Sequence, residues 1–421
     1  TAEKLATLTR LVDPAYVVPL RSFRAAWDAL ICSDEHGYGV SAYKGKNVYC
    51  TWMNKRYWID RGLATARHES HRALQTLGAH IPTEGPALVL FNPLLHQRTD
   101  TVEVALPEGF SARAWVPCSA SGERLPATAE ARCLRFVASD VPPLGYKTFT
   151  LRRGETPVAS RAAVAKAPVV ENGFYHVAMA ADGSVESIFD KQLRRELLDP
   201  KAAYRGNQFV YTRDDHKTFA TPATASFEVE TSDLAISVVS RTREPSSGAA
   251  IVQRVTLSKG EKRIDFDNRL EHVLDLHNEQ RTERLRYGYY AFPFAIPGAT
   301  FRVQLNGCTA RPHDDQVGTG TEDWMAAQDY VDVSNSEFGV TWAQRESHLV
   351  ECGRIRTRQL TRDDPPKTAH LYSYLFNDWY QKNWTSPREI TMRYRYSITS
   401  RAADGAADRP HWFARRFANP L

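Results

Sequence analysis

Over residues 1–85 apolar side chains recur at helical spacing, and the strict alternation of a half-buried strand is missing, so this stretch is expected to be helical. Three helices fit. The first runs from Lys4 to Leu11 and is closed by Asp13-Pro14, because the residue before a proline is steered away from the helical region. The second begins near Pro19 and sets Leu20, Phe23, Ala26, Trp27 and Leu30 on one face. The third runs from about Met53 to Leu77, with Ile59, Leu63, Ala66, Leu74 and Leu77 expected in a core and Gly78 as the stop signal.

From Pro86 the pattern changes to short β-rich runs broken by Pro and Gly, such as "ALVLFNPL", "TVEVALP" and "ARAWVPCS". Residues 86–153 are therefore expected to be a small all-β domain. Residues 154–167 (GETPVASRAAVAKA) are polar, Ala-rich and aperiodic, which reads as a linker. Beyond it, residues 168–421 look β throughout; "GFYHVAMAADGSVESIFD" predicts a hairpin turning at Asp182-Gly183, and "AISVVSRT", "AIVQRVTLS" and "KRIDFDNRLE" alternate as strands. The expected fold class is mainly β: an N-terminal three-helix bundle over 1–85, the small β-domain, then a large antiparallel β-sandwich.

Composition adds exclusions. With 421 residues, 42% hydrophobic and 24% charged, the chain can build more than one core and resembles neither a disordered nor a fibrous protein. Its 54 Lys and Arg against 49 Asp and Glu leave +5, spread along the chain, without the clustering of a nucleic-acid footprint. The runs at Arg241 to Arg243 and Arg415–Arg416 read as solvated surface. Six widely spaced cysteines, with no CxxC pair, fit a reduced compartment, although Cys118 and Cys133 could bridge neighbouring strands in an oxidising one. No run of about 18 apolar residues exists to span a membrane. The first residue is Thr1, with no charged-then-apolar leader, so the chain is expected to begin inside a longer protein or after processing. The Ala- and Arg-rich composition favours a bacterial cytoplasm.

The candidate chemistry is sparse. His36, flanked by Asp34 and Glu35 where the second helix should end, has the setting of a histidine held in one tautomer for a metal, but one histidine is not a metal site and a capping or packed role stands beside it. His68 and His71 lack the four-residue spacing of a zincin helix and read as a solvated face. The segment from His313 to Trp324 gathers carboxylates, glycines and an aromatic ring; Asp323 and Trp324 are candidates for hydrogen bonding and stacking on a sugar, beside a purely structural role. Tyr372 to Trp384 is rich in aromatic and amide groups, so Asn377, Trp379 and Asn383 could line a carbohydrate subsite or anchor a wide loop. Asn383-Trp384-Thr385 also matches the glycosylation sequon, a pattern common by chance. Nucleophile elbow, phosphate loop and dinucleotide fingerprint are all missing, and sequence spacing singles out no pair of glycosidase carboxylates.

The order of phrases adds a resemblance. "LVLFNPLLHQRTDTVEVALP" and "VPPLGYKTFTL" resemble the opening and closing of the first β unit of family 38 α-mannosidases. "VENGFYHVAMAADGSVESIFDKQLRRELLD" is similar to the start of their large sandwich, and "YYAFPFAIPGATFRVQL", "EDWMAAQDYVDVSNSEFGVTW" and "MRYRYSITS" match later landmarks in the same order. Across nearly the whole chain, the resemblance implies the middle helical and C-terminal sandwich regions of such an enzyme, with the catalytic barrel upstream. It implies that His36 is a ligand to a divalent metal, usually zinc, completed by barrel residues, although Gly37 replaces the aspartate that commonly follows. The nucleophile and acid/base carboxylates are expected upstream, so no catalytic residue is assigned in this chain. Implied partners are the barrel, an α-mannoside or related glycan and a homo-oligomer surface; neither nucleic acid nor membrane is expected.

Two other readings remain open on the residues: a non-catalytic carbohydrate-binding or scaffold protein of the same domains, and another sandwich-bearing glycosidase or lyase with its site near Asp323 and Trp379. An enzyme half should expose a large apolar surface around His36 and Trp27, whereas an independent module should be polar there.

Overall fold

The computed structural model describes residues 1–33, 46–213, 218–245, 248–271, 287–318, 320–356, 361–377, 391–403 and 409–421. His36, Trp379 and Asn383, with the sequon that Asn383 opens, lie outside them. The chain divides into two compact units, the first built on Thr1–Thr156 and the second on Pro157–Trp379 and Pro387–Pro420.

In the first unit the helices are α1 (Ala2–Val12), α2 (Leu20–Ser33) and α3 (Lys46–Ala79). Their shared core is small: Leu5, Ala6, Tyr16, Phe23, Ala73 and Leu77. It differs from the expected one. Leu20, Trp27, Ile59, Leu63 and Leu74 face outward, while Ala26 and Ala29 of α2 are buried. The helices cross through small residues, since a Cβ on Gly62 would lie 3.1 Å from the Leu30 side chain and 3.5 Å from the Ala26 carbonyl oxygen. Helical periodicity finds an apolar stripe without telling which stripe the neighbour covers. Lys55 extends from α3 to donate to the Cys32 carbonyl oxygen at 2.9 Å, satisfying the C-terminal end of α2.

The small β-region of this unit holds two antiparallel three-stranded sheets, Ala87–Phe91, Tyr146–Arg153 and Trp115–Cys118 in one, and Arg98–Ala105, Cys133–Val141 and Ala127–Glu130 in the other. They share a core in which Phe136 meets Phe149 edge-on at 5.1 Å. Cys118 and Cys133 sit in different sheets, both as free thiols. Asn92 ties the region's ends together: its amide donates to the carbonyls of His96, Val141 and Pro142 at 2.7, 3.2 and 3.0 Å.

The second unit is the large sandwich. A ten-stranded sheet faces a six-stranded one, and a four-stranded sheet shares their core. Between the two larger sheets Phe292 touches Phe266, Trp342 and Tyr396 at 5.6, 5.6 and 5.1 Å, and Trp342 stacks on Tyr396 at 5.1 Å. The expected hairpin is present, with Gly183 at φ +92°, a conformation that disfavours any residue with a Cβ. Two expectations are corrected. Ser160–Val164, inside the expected linker, is the edge strand of the ten-stranded sheet, paired with Ser226–Thr231; backbone hydrogen bonding carried a segment with no apolar pattern into the sheet. The chain also closes with a helix, α4 (Arg409–Ala418), where strands were expected. Arg415 and Arg416, expected to be solvated, pair with Asp329 and Glu261 at 3.0 Å each.

Candidate functional site

Strand alternation gives the central strand of the six-stranded sheet, Tyr287–Pro293, two faces. Tyr290 and Phe292 enter the main core; Tyr287, Tyr289 and Ala291 join Val210, Tyr372 and Tyr374 in a separate aromatic cluster. Tyr289 stacks on Tyr374 at 5.3 Å, and Trp324 approaches the same ring at 6.3 Å. Burial pushes the Tyr204 hydroxyl beside this cluster up to about 12, so it is a neutral donor at ordinary pH.

Under the cluster lies Glu351, fully buried. The Tyr289 hydroxyl donates to its Oε1 at 3.0 Å, and the Arg356 backbone N–H donates to Oε2. The buried Arg356 guanidinium donates to the Asp364 carbonyl at 2.8 Å and pairs with its carboxylate at 3.3 Å. Sequence reasoning passed over Glu351 and Arg356. Their signal was an acid inside the apolar run "LVEC", which predicts a buried, partnered carboxylate.

The loop holding Asp323 and Trp324 is tied to the segment starting at Thr361. Glu322 accepts from the backbone N–H groups of Asp363 and Asp364 at 3.2 and 3.1 Å, and lies 3.1 Å from His313 Nδ1. Burial raises the Glu322 pKa, but these donors outweigh it and hold the group below the usual carboxylate range. Asp323 is fully buried and its Oδ1 accepts from the Thr361 N–H and hydroxyl at 2.9 and 2.7 Å. That bonding is the structural role set beside sugar contact for this residue. Trp324 is half-buried and offers part of its ring to solvent. Asn377 ends the strand His370–Asn377 in the same sheet, but its side chain is not among those described.

Among the described residues no three His, Cys, Asp or Glu side chains gather as a metal site, and His68 and His71 are both exposed on α3. Glu322 and Asp323 are committed to internal donors, so the described residues here offer an aromatic rim and, in these two, no open carboxylate pair of the kind glycoside hydrolysis uses. No described helix is long and apolar enough to cross a membrane.

The same pattern of committed polar groups runs through the second unit. Asn172 donates to the Ser258 carbonyl at 2.6 Å, and Asp332 accepts from Arg401 at 2.7 Å and from the Thr341 hydroxyl at 3.1 Å. Asn172, Asp332 and Thr341 belong to the phrases that carry the resemblance noted above, and residues 170–350 match the glycosyl hydrolases family 38 C-terminal domain. Over those residues the chain is similar to that C-terminal domain. Likeness to solved structures extends the family 38 fold beyond that match. An α-mannosidase from Enterococcus faecalis V583 shares 16% identity at a TM-score of 0.67, over 99% of this chain and 54% of that one. A family 38 protein from Enterococcus faecalis shares 16% identity at 0.68, over 100% of this chain and 56% of that one. The chain thus spans about half the length of each. A comparison with curated proteins finds no match.

Proposed function

We propose that this chain is the C-terminal portion of an α-mannosidase-like retaining glycoside hydrolase, completed by a catalytic barrel outside residues 1–421. The observation that carries the reading is the outward face of the helices. Leu20, Trp27 and Ile31 are 72%, 55% and 65% exposed, and their spacing of seven and four residues aligns them along one stripe of α2. On α3, Met53, Tyr57, Ile59 and Leu63 are also exposed, each by 40% or more. Isolated surface apolar residues are ordinary, but a stripe on adjoining helices is the mark of a surface that another body covers. An independent carbohydrate-binding module would be polar there.

In this reading the barrel supplies the nucleophile and the acid/base group, and hydrolysis proceeds through a glycosyl-enzyme intermediate. His36 is proposed as the one metal ligand from this chain. A divalent ion, zinc by family resemblance, would hold sugar hydroxyls; the described residues do not make its site by themselves. Trp324, Asn377, Trp379 and Asn383 are proposed to lie on the sugar side, with Asp323 holding the loop that presents Trp324.

The test is hydrolysis of a chromogenic α-mannoside, with metal content, by the chain alone and by the chain joined to its upstream region. The reading expects an inert, metal-free chain that gains both properties with the upstream region and loses both on His36→Ala. Hydrolysis by the chain alone would place the carboxylates inside residues 1–421 and overturn it; continued inertness of the joined protein favours the binding module.

A further inference from the structure

Three neighbouring strands of the ten-stranded sheet, Ala235–Arg243, Ala250–Ser258 and Ile264–Glu271, pair antiparallel in a register that fixes a small pattern on their outer face. Arg241 stands opposite Val252 and Val252 opposite Arg269; one step along the same face, Arg243 stands opposite Ala250 and Ala250 opposite Glu271. The residues between them, Ile251 and Leu270, are buried in the main core, so these six share the other face. Two small side chains on the middle strand form a floor, flanked by Arg241 and Arg243 on one side and Arg269 and Glu271 on the other. A cleft of about 860 Å³ lies between them.

Other arginines on this face are paired with carboxylates. Arg254 and Arg161 pair with Glu230 at 3.1 and 3.2 Å, Arg393 takes Asp267 at 2.8 Å, and Arg395 takes Glu346 at 2.8 Å. In the cleft the pattern fails. Arg243 donates to the Gly248 carbonyl at 3.0 Å, and Arg269 comes no closer than 4.0 Å to an Asp267 that Arg393 already engages. Arg241 has no ion pair among the described residues. Three guanidinium groups with spare donors therefore converge on one cleft whose lining holds one carboxylate, Glu271. The guanidinium fork matches a tetrahedral oxyanion, and the cleft has the volume of a small-molecule site. A nucleic acid would need a longer basic track.

We propose that this cleft binds a phosphate group, either free or as the ester of a polyhydroxylated compound whose hydroxyl Glu271 accepts. The proposal stands independently of the enzyme reading. Calorimetric titration of the full chain at low salt, with inorganic phosphate, a hexose 6-phosphate and the neutral hexose, tests it. Saturable phosphate binding is expected to weaken by about tenfold or more in the double variant Arg241→Gln/Arg269→Gln. Arg132→Gln, which removes an exposed charge from a turn of the first unit, is expected to leave it unchanged. Tighter binding of the ester, with that gain lost in Glu271→Gln, assigns the cleft to the ester; equal affinity assigns it to the free ion. Absence of saturable binding, unchanged affinity in the double variant, or an equal loss in Arg132→Gln overturns the proposal.

Discussion

In the sandwich, Trp342, Phe292 and Tyr396 pack ring on ring at 0%, 1% and 0% exposure; in the helices, Trp27, Ile31 and Leu20 stand more than half exposed. Similar residue types thus meet opposite fates within one chain. Two sheets facing each other enclose their inner side chains on both sides, so each aromatic ring removes nearly all its area from water, worth about 1.5–3 kcal/mol for a large side chain. The helices meet through Ala26, Ala29 and Gly62, which allows a close crossing but leaves the larger apolar groups on the far side. The described sandwich encloses its aromatic core, whereas the helical region has a second apolar face that nothing in this chain's described residues covers.

Substitutions can break or sharpen that contrast. The largest effect is expected for Trp342→Ala, which should destabilise the sandwich by about 3–5 kcal/mol in urea unfolding followed by a sandwich-specific probe. Next comes Asp190→Ala. This fully buried carboxylate accepts from the Ser400 hydroxyl at 2.5 Å and pairs with Lys262 at 2.8 Å, so its loss should cost about 1–3 kcal/mol in the same transition. Gly62→Ile should cost a similar 1–3 kcal/mol, but in helical signal, because the branch would have to enter the space of Leu30; unchanged helix stability would mean that α2 and α3 do not pack so closely.

A smaller, local effect is expected from acid. Asp364 is held below the usual carboxylate range, first by the Arg354 hydrogen bond and then by the nearby Arg356, and Glu322 is lowered as well. Groups with a depressed folded pKa contribute stability above their unfolded value of about 4, and lose it as the pH falls through the folded value. The Thr361 segment should therefore loosen below about pH 4 before the sandwich unfolds. Hydrogen exchange at the Asp363 and Asp364 amides, corrected for intrinsic rate, checks this; protection that persists until global unfolding would count against it. The smallest stability effect is expected for Trp27→Ser, within about 0.5 kcal/mol in this chain alone. The same change should reduce self-association in sedimentation, and a large loss of stability would instead place Trp27 in a core.

Much of the architecture could be read in advance because it follows from local rules. The three helices, the switch to strands after Pro86 and the turn at Asp182-Gly183 each follow from periodicity or from backbone conformation. The strand Ser160–Val164 could not be read that way, because its exposed, Ala-rich pattern gives no burial signal and its place comes from pairing with Ser226–Thr231. For the candidate site, the sequence pointed to Asp323 and Trp324 but left open what they do. The bonds of Asp323 to Thr361 come from residues 38 positions away and assign it to holding a loop.

By itself, then, the sequence determined the kinds of element, their order and the phrases by which the family 38 domain is recognised, since these rest on spacing along one strand of chain. The tertiary structure decided which apolar face is buried, which carboxylate is committed to an internal donor, and that Arg241, read as ordinary surface, shares a cleft with Arg269 across Val252. Each of those outcomes depends on the neighbour that long-range pairing supplies, and periodicity within a segment carries no information about that neighbour.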